Sequence, residues 1–520
     1  MVDPSQTGSP LAPAPAMGRT VARGSLWMIL QTGATKLAGL AAQVLLGAIL
    51  SGGDFGIYAI AISLSVFAAV LRDGGVRSLL IQRQREYDAI LGPVFWMGLA
   101  FNLATGILIA GLGPPAALAY GDGRLVLMLA LIGVSIPLST PAAILSGRLS
   151  IELRFREQAV AGTVAALVRY GGAVALALLG FGPLSFVLPL PAMALTEWAV
   201  LAVYTRDRPW RRPAALRLWR GMLTQTRWII IANFAVALYN MGNYSLVGLL
   251  VAREVVGVYF FAYQIVLQLA ALISTNFNLV LFPAFTHMSG EPDRLRAAVR
   301  RSLRQLMLVG VPLGMVLVPA FPHIEALVWR GRWAEAVLPV QLIAIFYPPS
   351  VVQAIGFAAL QAWGDFRRWA VLLALQSAGM LAVGALAAAL WGTAPAIAAA
   401  TSVYVMLSSI AFCGLSLRRA RFSWGEVAEG IAPAWGIGLA AVGGALLIDR
   451  WAGPAVGASG LPPWAVSAAR LLISGAAFSA LFAVMTRVAL RRHVEEAVAL
   501  APTRLRPLAL RVMLLREPPA

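Results

Sequence analysis

The 520-residue chain is 60% hydrophobic and only 12% charged, with a mean hydropathy of +0.79. So few charges cannot clothe the surface of a soluble domain of this length, which excludes that class. The net charge of +19 does not indicate a nucleic-acid partner, because the arginines fall between apolar stretches rather than along one hydrophilic face.

In chain order, residues 1–20 form a Pro/Ala-rich tail, expected to be disordered and cytoplasmic. It has no basic flank before a short apolar core and does not read as a cleavable leader. Apolar stretches follow at 22–49, 55–80, 90–112, 124–146, 158–180 and 184–204. A second set lies at 228–251, 255–285, 305–328, 336–361, 369–390 and 395–417, and two more at 431–450 and 464–486. Each approaches the roughly 20 apolar residues that a helix needs to cross a hydrocarbon core. Runs this long argue against a membrane barrel of short alternating strands. The single cysteine, Cys413, lies in one of these runs and excludes an internal disulfide.

Basic residues gather in every second connection. Arg83 and Arg85 occupy one, Arg148, Arg154 and Arg156 the next but one, and Arg206, Arg208, Arg211, Arg212, Arg217 and Arg220 the next such gap. Arg294 to Arg304, Arg367 with Arg368, and Arg418 to Arg421 continue the series. The intervening connections hold only Arg124, Arg253, Arg330, Arg332 and Arg450. This alternation predicts about fourteen spans in a bacterial inner membrane, with both termini cytoplasmic. The basic loops would then face anionic phospholipids.

The first twelve spans read as two copies of a six-span unit. Gly56, Tyr58 and Ala61 align with Gly257, Tyr259 and Ala262 at a constant offset of 201. Glycine there permits a close helix approach, and tyrosine suits the interfacial belt. Six is even, so both copies enter from the same side, and a pseudo-twofold axis should run along the membrane normal with a cavity between the bundles. The expected organisation is an N-terminal bundle at 21–204, a basic linker at 205–227 and a C-terminal bundle at 228–417. Two added helices at 431–487 and a basic tail at 488–520 complete it. Pro137 and Pro141 interrupt the fourth span, and Pro348 and Pro349 its counterpart, the tenth. A proline frees a carbonyl and kinks the axis, which makes these four hinge or gate candidates.

No nucleotide-binding loop, zinc-protease motif or Ser/His/Asp set stands out, so neither an enzyme nor a cofactor is expected. The informative ionisable residues are those lying deep. Lys36 and Arg169 fall near the centres of the first and fifth spans, where a lipid-facing charge costs about 2.5–3.5 kcal/mol. Glu197 in the sixth span can neutralise only one of them. If all three face one cavity its interior is positive and attracts phosphate, whereas a buried ion pair plus one snorkelling cation is the alternative. Arg72 extends the cationic path or pairs locally with Asp73. In the second bundle Asn233, Asn240 and Asn243 share one helix face, flanked by Tyr239 and Tyr244. Gln264 and Gln268 lie one turn apart on the next helix. Such amides and aromatics suit sugars, and interhelical packing explains them nearly as well. Glu197 is the deepest carboxylate and the first candidate for ion coupling.

The opening segment, with GDFGIY and LRDGG, and GVYFFAYQIVLQLAALIS with NLVLFPAFTHMSG in the second half, resemble a known family. It is the oligosaccharide flippases of the polysaccharide-transport branch of the multidrug/oligosaccharidyl-lipid/polysaccharide exporter superfamily. The resemblance spans residues 20–490 and implies an all-α polytopic membrane protein with two six-helix bundles and two C-terminal helices. It implies carriage of an undecaprenyl-diphosphate-linked glycan from the cytoplasmic to the periplasmic leaflet, with a polysaccharide polymerase and export complex as a further partner. By the same analogy Lys36, Arg169 and, less directly, Arg72 become diphosphate contacts. The rivals are a peptidoglycan-precursor flippase, a multidrug antiporter of the same superfamily, and a non-transporting scaffold of a glycan assembly complex.

Overall fold

A computed structural model describes residues 14–68, 87–205, 207–219, 234–288, 291–458, 460–491 and 493–495. The described residues are helical or in connections. The helices are α1 (Ala14–Ile49), α2 (Gly52–Ala68), α3 (Tyr87–Gly111), α4 (Gly113–Tyr120), α5 (Arg124–Leu138), α6 (Thr140–Ile151), α7 (Phe155–Leu178) and α8 (Pro189–Tyr204). Then come α9 (Asn243–Gly248), α10 (Arg253–His287), α11 (Pro292–Met315), α12 (Leu317–Val328), α13 (Ala334–Phe346), α14 (Gln353–Ala362), α15 (Phe366–Trp391) and α16 (Ala394–Leu417). α17 (Trp424–Gly457) and α18 (Pro463–Ala489) close the series. Among the described residues ten helical stretches are long and apolar enough to cross a membrane, eleven if one bent pair counts as a span. The figure of fourteen remains a reading of the sequence.

Two of the expected proline interruptions take different forms. α5 and α6 pass through Ser139 as parts of one apolar stretch, Arg124–Ile151, with Pro141 in the first turn of α6. α13 and α14 instead meet at 41°, separated by a 3-10 turn that starts at Pro348 and Pro349. Proline lacks the N–H that would continue the ladder, so the bend falls there.

The chain divides into two compact units. Unit 1 comprises residues 1–42, 68–114 and 126–230. Its core joins α3 and α6 through Tyr87, Leu91, Phe95 and Ile144, with a second cluster of Ala142, Leu145, Ala161 and Leu201 joining α6, α7 and α8. Unit 2 comprises residues 43–67, 115–125 and 231–520. One of its cores is Ala235, Leu360, Leu373 and Phe412, with Phe357 and Trp369 packed on it.

α17 and α18 are fixed to unit 2 at both ends. At one end, Ser423 and Glu426 form a reciprocal capping box at the start of α17. The same Glu426 accepts from Arg296 at 2.9 Å and from Arg300 of α11. At the other end, Asp449 of α17 binds Arg470 of α18 through both oxygens, at 3.0 and 2.6 Å, and His323 of α12 at 3.2 Å. Arg470 thus satisfies its charge inside a span.

Candidate functional site

Within unit 1, α1 and α7 run parallel. Arg156 lies over the Trp27 ring at 5.8 Å, and the Gln31 side chain fills the space beside Gly162. At about 1.5 Å rise per residue, Lys36 stands about 7.5 Å and Arg169 about 10.5 Å beyond that contact, so the two cations share a depth. They leave their helices differently. Arg169 lies on nearly the same face of α7 as Gly162, whereas Lys36 is about 140° around α1 from Gln31. Both are half-buried, and among the described residues neither has a carboxylate within 4.0 Å. The Arg169 guanidinium rests 5.3 Å from the centre of the Tyr170 ring. α8 runs antiparallel to α7, with Gly172 against Pro189. Glu197 therefore lies about 7.5 Å toward the α7 N-terminus from the level of Arg169. Arg72 and Asn233 lie outside the described residues.

The polar stripe of unit 2 separates into two groups. Asn243 and Tyr244 are each 1% exposed. The Asn243 amide donates to the Tyr259 hydroxyl at 2.9 Å, which in turn bonds Thr401 at 3.1 Å, while Tyr244 packs edge-on to Phe260. Tyr239 accepts from Gln376 at 3.3 Å within a network that includes Gln353, Ser408 and Ser409. These groups are engaged in holding α9, α10, α14, α15 and α16 together. Tyr259 is fully buried, so it does not occupy the interfacial belt that its alignment with Tyr58 suggested. Asn240, Gln264 and Gln268 remain half-buried. Asn240 donates to the Val236 carbonyl of its own turn, and Gln268 donates to Gln43 Oε1 at 3.2 Å. The Gln43 amide nitrogen is buried with no acceptor among the described residues, so this α1–α10 amide pair holds a hydrogen-bond donor in reserve.

Unit 2 also contains a seam between the start of α2 and the start of α10, at the end that charge alternation assigns to the extracytoplasmic side. A β-carbon at Gly56 would fall 2.8 Å from the Arg253 carbonyl carbon, and one at Gly257 would fall 2.7 Å from that of Gly52. Gly52 pairs with Arg253, and Gly56 with Gly257, at the same offset of 201 found in the sequence. The contact is therefore reciprocal. Phe55 and Phe261 meet edge to face at 5.5 Å, and Phe261 stacks on Trp333 at 3.8 Å. Trp329 and Trp333 donate their indole N–H groups to the carbonyls of Val44 and Gly47 at 3.1 and 2.8 Å. Arg332 donates to those of Ala48 and Ile49. The final turn of α1, whose carbonyls have no partners within the helix, is thereby satisfied.

A chain of alternating charges crosses the same level: Glu254, Arg253, Asp122, Arg124 and Asp54, with separations of 3.0, 3.1, 2.8 and 3.5 Å. Asp122 is 8% exposed. The hydrogen bond from Arg124 holds its carboxyl below the usual value of 3.8, and the positive charge of Arg253 adds to this against the opposing effect of burial. Neither this chain nor Gln43 was singled out from the sequence. The available signal was that the few basic residues of the outer connections are accompanied there by Asp54, Asp122 and Glu254. Among the described residues no group of three or more His, Cys, Asp or Glu is placed to hold a metal ion.

A family model described as polysaccharide biosynthesis protein matches residues 45–338. The succinoglycan biosynthesis transport protein ExoT of Rhizobium meliloti is 26% identical over 382 residues, which cover 71% of this chain and 75% of that protein. The teichuronic acid biosynthesis protein TuaB of Bacillus subtilis is 22% identical over 339 residues, 64% of this chain and 69% of that one. Among solved structures, the lipid II flippase MurJ in an inward closed conformation matches with a TM-score of 0.69 and 12% identity, over 90% of this chain and all of that one. An inward-facing multidrug resistance transporter of the MATE family matches with a TM-score of 0.56 and 13% identity, over 74% and 94%. At such identities the structural likeness is one of fold.

Proposed function

Since the chain belongs to the polysaccharide biosynthesis protein family and has the fold of the multidrug/oligosaccharidyl-lipid/polysaccharide exporter superfamily, we propose that it is a flippase for undecaprenyl-diphosphate-linked oligosaccharide repeat units. It carries them from the cytoplasmic to the periplasmic leaflet for the synthesis of a surface or extracellular polysaccharide. The observation that carries this reading is the match to the polysaccharide biosynthesis family, and the common depth of Lys36 and Arg169, two half-buried cations without carboxylate partners among the described residues, supports it. A diphosphate spans several oxygens and accepts donors from two helices, and a site of net positive charge draws it from the membrane surface. Arg72 is a third contact in this reading.

The glycan is met by groups that retain exposure, namely Asn240, Gln264 and Gln268 with Gln43, and by Asn233. Tyr239, half-buried like Asn240, joins these contacts, while Asn243 and Tyr244 support those helices from within the bundle. Transport proceeds by alternating access. The Gly56–Gly257 seam and its ion chain act as the extracytoplasmic gate, and the bend at Pro348 and Pro349 absorbs part of the motion. Glu197 carries the coupling proton or cation. The polysaccharide-pathway names of both curated relatives favour this cargo over a cationic drug.

Reconstitution tests the proposal. Vesicles loaded with a defined undecaprenyl-diphosphate glycan should expose it on the opposite leaflet only when the protein is present. Exposure at the protein-free rate would exclude a flippase and favour a scaffold. Glu197→Gln should abolish any dependence on an ion gradient, and unchanged dependence would remove Glu197 from the mechanism.

A further inference from the structure

The segment that follows α8 is pinned to unit 1. Trp210 packs edge-on against Trp198 at 5.8 Å and Phe95 at 6.5 Å. The Trp96 indole donates to the Arg212 carbonyl at 2.9 Å. Gly92 leaves room for the chain to cross α3, since a β-carbon there would fall 2.6 Å from Arg212 Cβ. Arg212 is further tied to Asp88 at 3.2 Å, and Asp207 receives the Tyr87 hydroxyl at 3.0 Å with Arg148 at 3.7 Å. Trp219 closes the segment by donating to the Ala214 carbonyl at 3.0 Å.

The carboxylates of this region are thus committed to Arg212, Arg148 and Arg154, the last paired with Glu152 and Glu157 at 3.3 and 3.2 Å. Arg208, Arg211 and Arg217 take no part in these pairs. All three are exposed, and among the described residues none has a carboxylate within 4.0 Å. Beside them Leu216 and Leu218 are 66% and 41% exposed. A backbone held this firmly presents its cations without the entropic cost of ordering a loose loop. Unneutralised guanidinium groups next to uncovered leucines match an interface where phosphates lie over acyl chains.

We propose that residues 207–219 form a headgroup-binding shelf that takes acidic phospholipids of the leaflet facing it. By the arginine alternation that leaflet is the cytoplasmic one. The guanidinium groups engage headgroup phosphates while Leu216 and Leu218 enter the acyl boundary, which fixes unit 1 against the membrane surface. The contact is independent of the glycan carried, so its failure and a failure of flipping are separately observable.

Hydrogen–deuterium exchange of the full-length protein in nanodiscs tests the shelf. Exchange over residues 207–219 should slow several-fold when phosphatidylglycerol is added to phosphatidylcholine, and raised ionic strength should reverse the effect. The triple variant Arg208→Gln/Arg211→Gln/Arg217→Gln should lose the phosphatidylglycerol effect while keeping the wild-type melting temperature in detergent. Equal exchange in both lipids, or full protection in the triple variant, would overturn the proposal. So would equal protection by inorganic pyrophosphate in neutral nanodiscs, which would assign the cations to free phosphate.

Discussion

Gly56 and Gly257 hold the same contact from opposite sides. Each faces the backbone of the other's helix, and the backbone nitrogen of each lies 3.2 or 2.9 Å from where the other's β-carbon would be. Gly56→Ala or Gly257→Ala therefore forces α2 and α10 apart, since backbone cannot yield as a flexible side chain does. Either substitution should destabilise the seam by about 1–3 kcal/mol, seen as a lower melting temperature in detergent. If the seam is a gate, a cysteine placed at Ser51 should react faster with a membrane-impermeant maleimide in the Gly56→Ala background. The native Cys413 is buried and contributes little signal. An unchanged melting temperature and labelling rate would show that the contact is not a constraint.

The ion chain gives the seam a direction of pH dependence. The carboxyl of Asp122 titrates below its ordinary value in the folded protein, first because Arg124 donates to it. A carboxylate with a depressed folded pKa contributes stability that is present above the unfolded value, near 3.8, and is lost as pH falls through the folded one. Asp122→Asn should thus cost about 1–2 kcal/mol at neutral pH, given that Arg124 and Arg253 are partly exposed to screening. The difference from wild type should shrink below about pH 4 and vanish once wild-type Asp122 is protonated. Thermal melts of both proteins between neutral pH and about pH 3 measure this. A difference that does not shrink on acidification would assign the loss to packing.

Asp449 should behave as a half-buried partner whose removal leaves its cation less well compensated. Asp449→Asn removes the negative charge and one of the two acceptor oxygens facing the Arg470 guanidinium, and should cost about 1.5–3 kcal/mol. Adding Arg470→Gln should recover part of that loss, because no uncompensated charge then remains. A double-mutant cycle on melting temperature checks the coupling. Simple additivity would mean that the pair does not hold the last two helices.

How much of this was legible can be judged from particular residues. Most of the described helices overlap the apolar stretches read as spans, because a chain in lipid must satisfy its backbone within each helix. The offset of 201 pointed to Gly56 and Gly257, and those glycines do meet. The sequence could not show that they meet each other, since a repeat states equivalence and not contact. Tyr259 marks the limit of local reading. Its hydroxyl partner Thr401 lies 142 positions away, and no pattern around Tyr259 distinguishes a buried phenol from one in an interfacial belt. Arg124 and Arg253 similarly looked like exceptions to an alternation. Arg124 pairs with its near neighbour Asp122, but Arg253 reaches that same carboxylate from another connection, and only the fold brings those two together.

Lys36 and Arg169 give the sharpest test of the proposed cargo. If they hold a diphosphate between them, Lys36→Ala and Arg169→Ala should each reduce flipping of an undecaprenyl-diphosphate glycan by about 10–100-fold, the loss of a charge-assisted contact of about 1.5–3 kcal/mol. The pair together should fall short of additivity, because one anion is shared. Neither change should lower the melting temperature by much, since among the described residues neither cation has a carboxylate to strand. Lys36→Arg should retain most activity, whereas Lys36→Gln should not, which separates a requirement for charge from one for length. Because Lys36 leaves α1 about 140° from the side that meets α7, a merely structural role would act through the packing of α1 and appear in the melting temperature first. Loss of stability with flipping intact per folded molecule would therefore make these residues part of the scaffold and leave the diphosphate without its site.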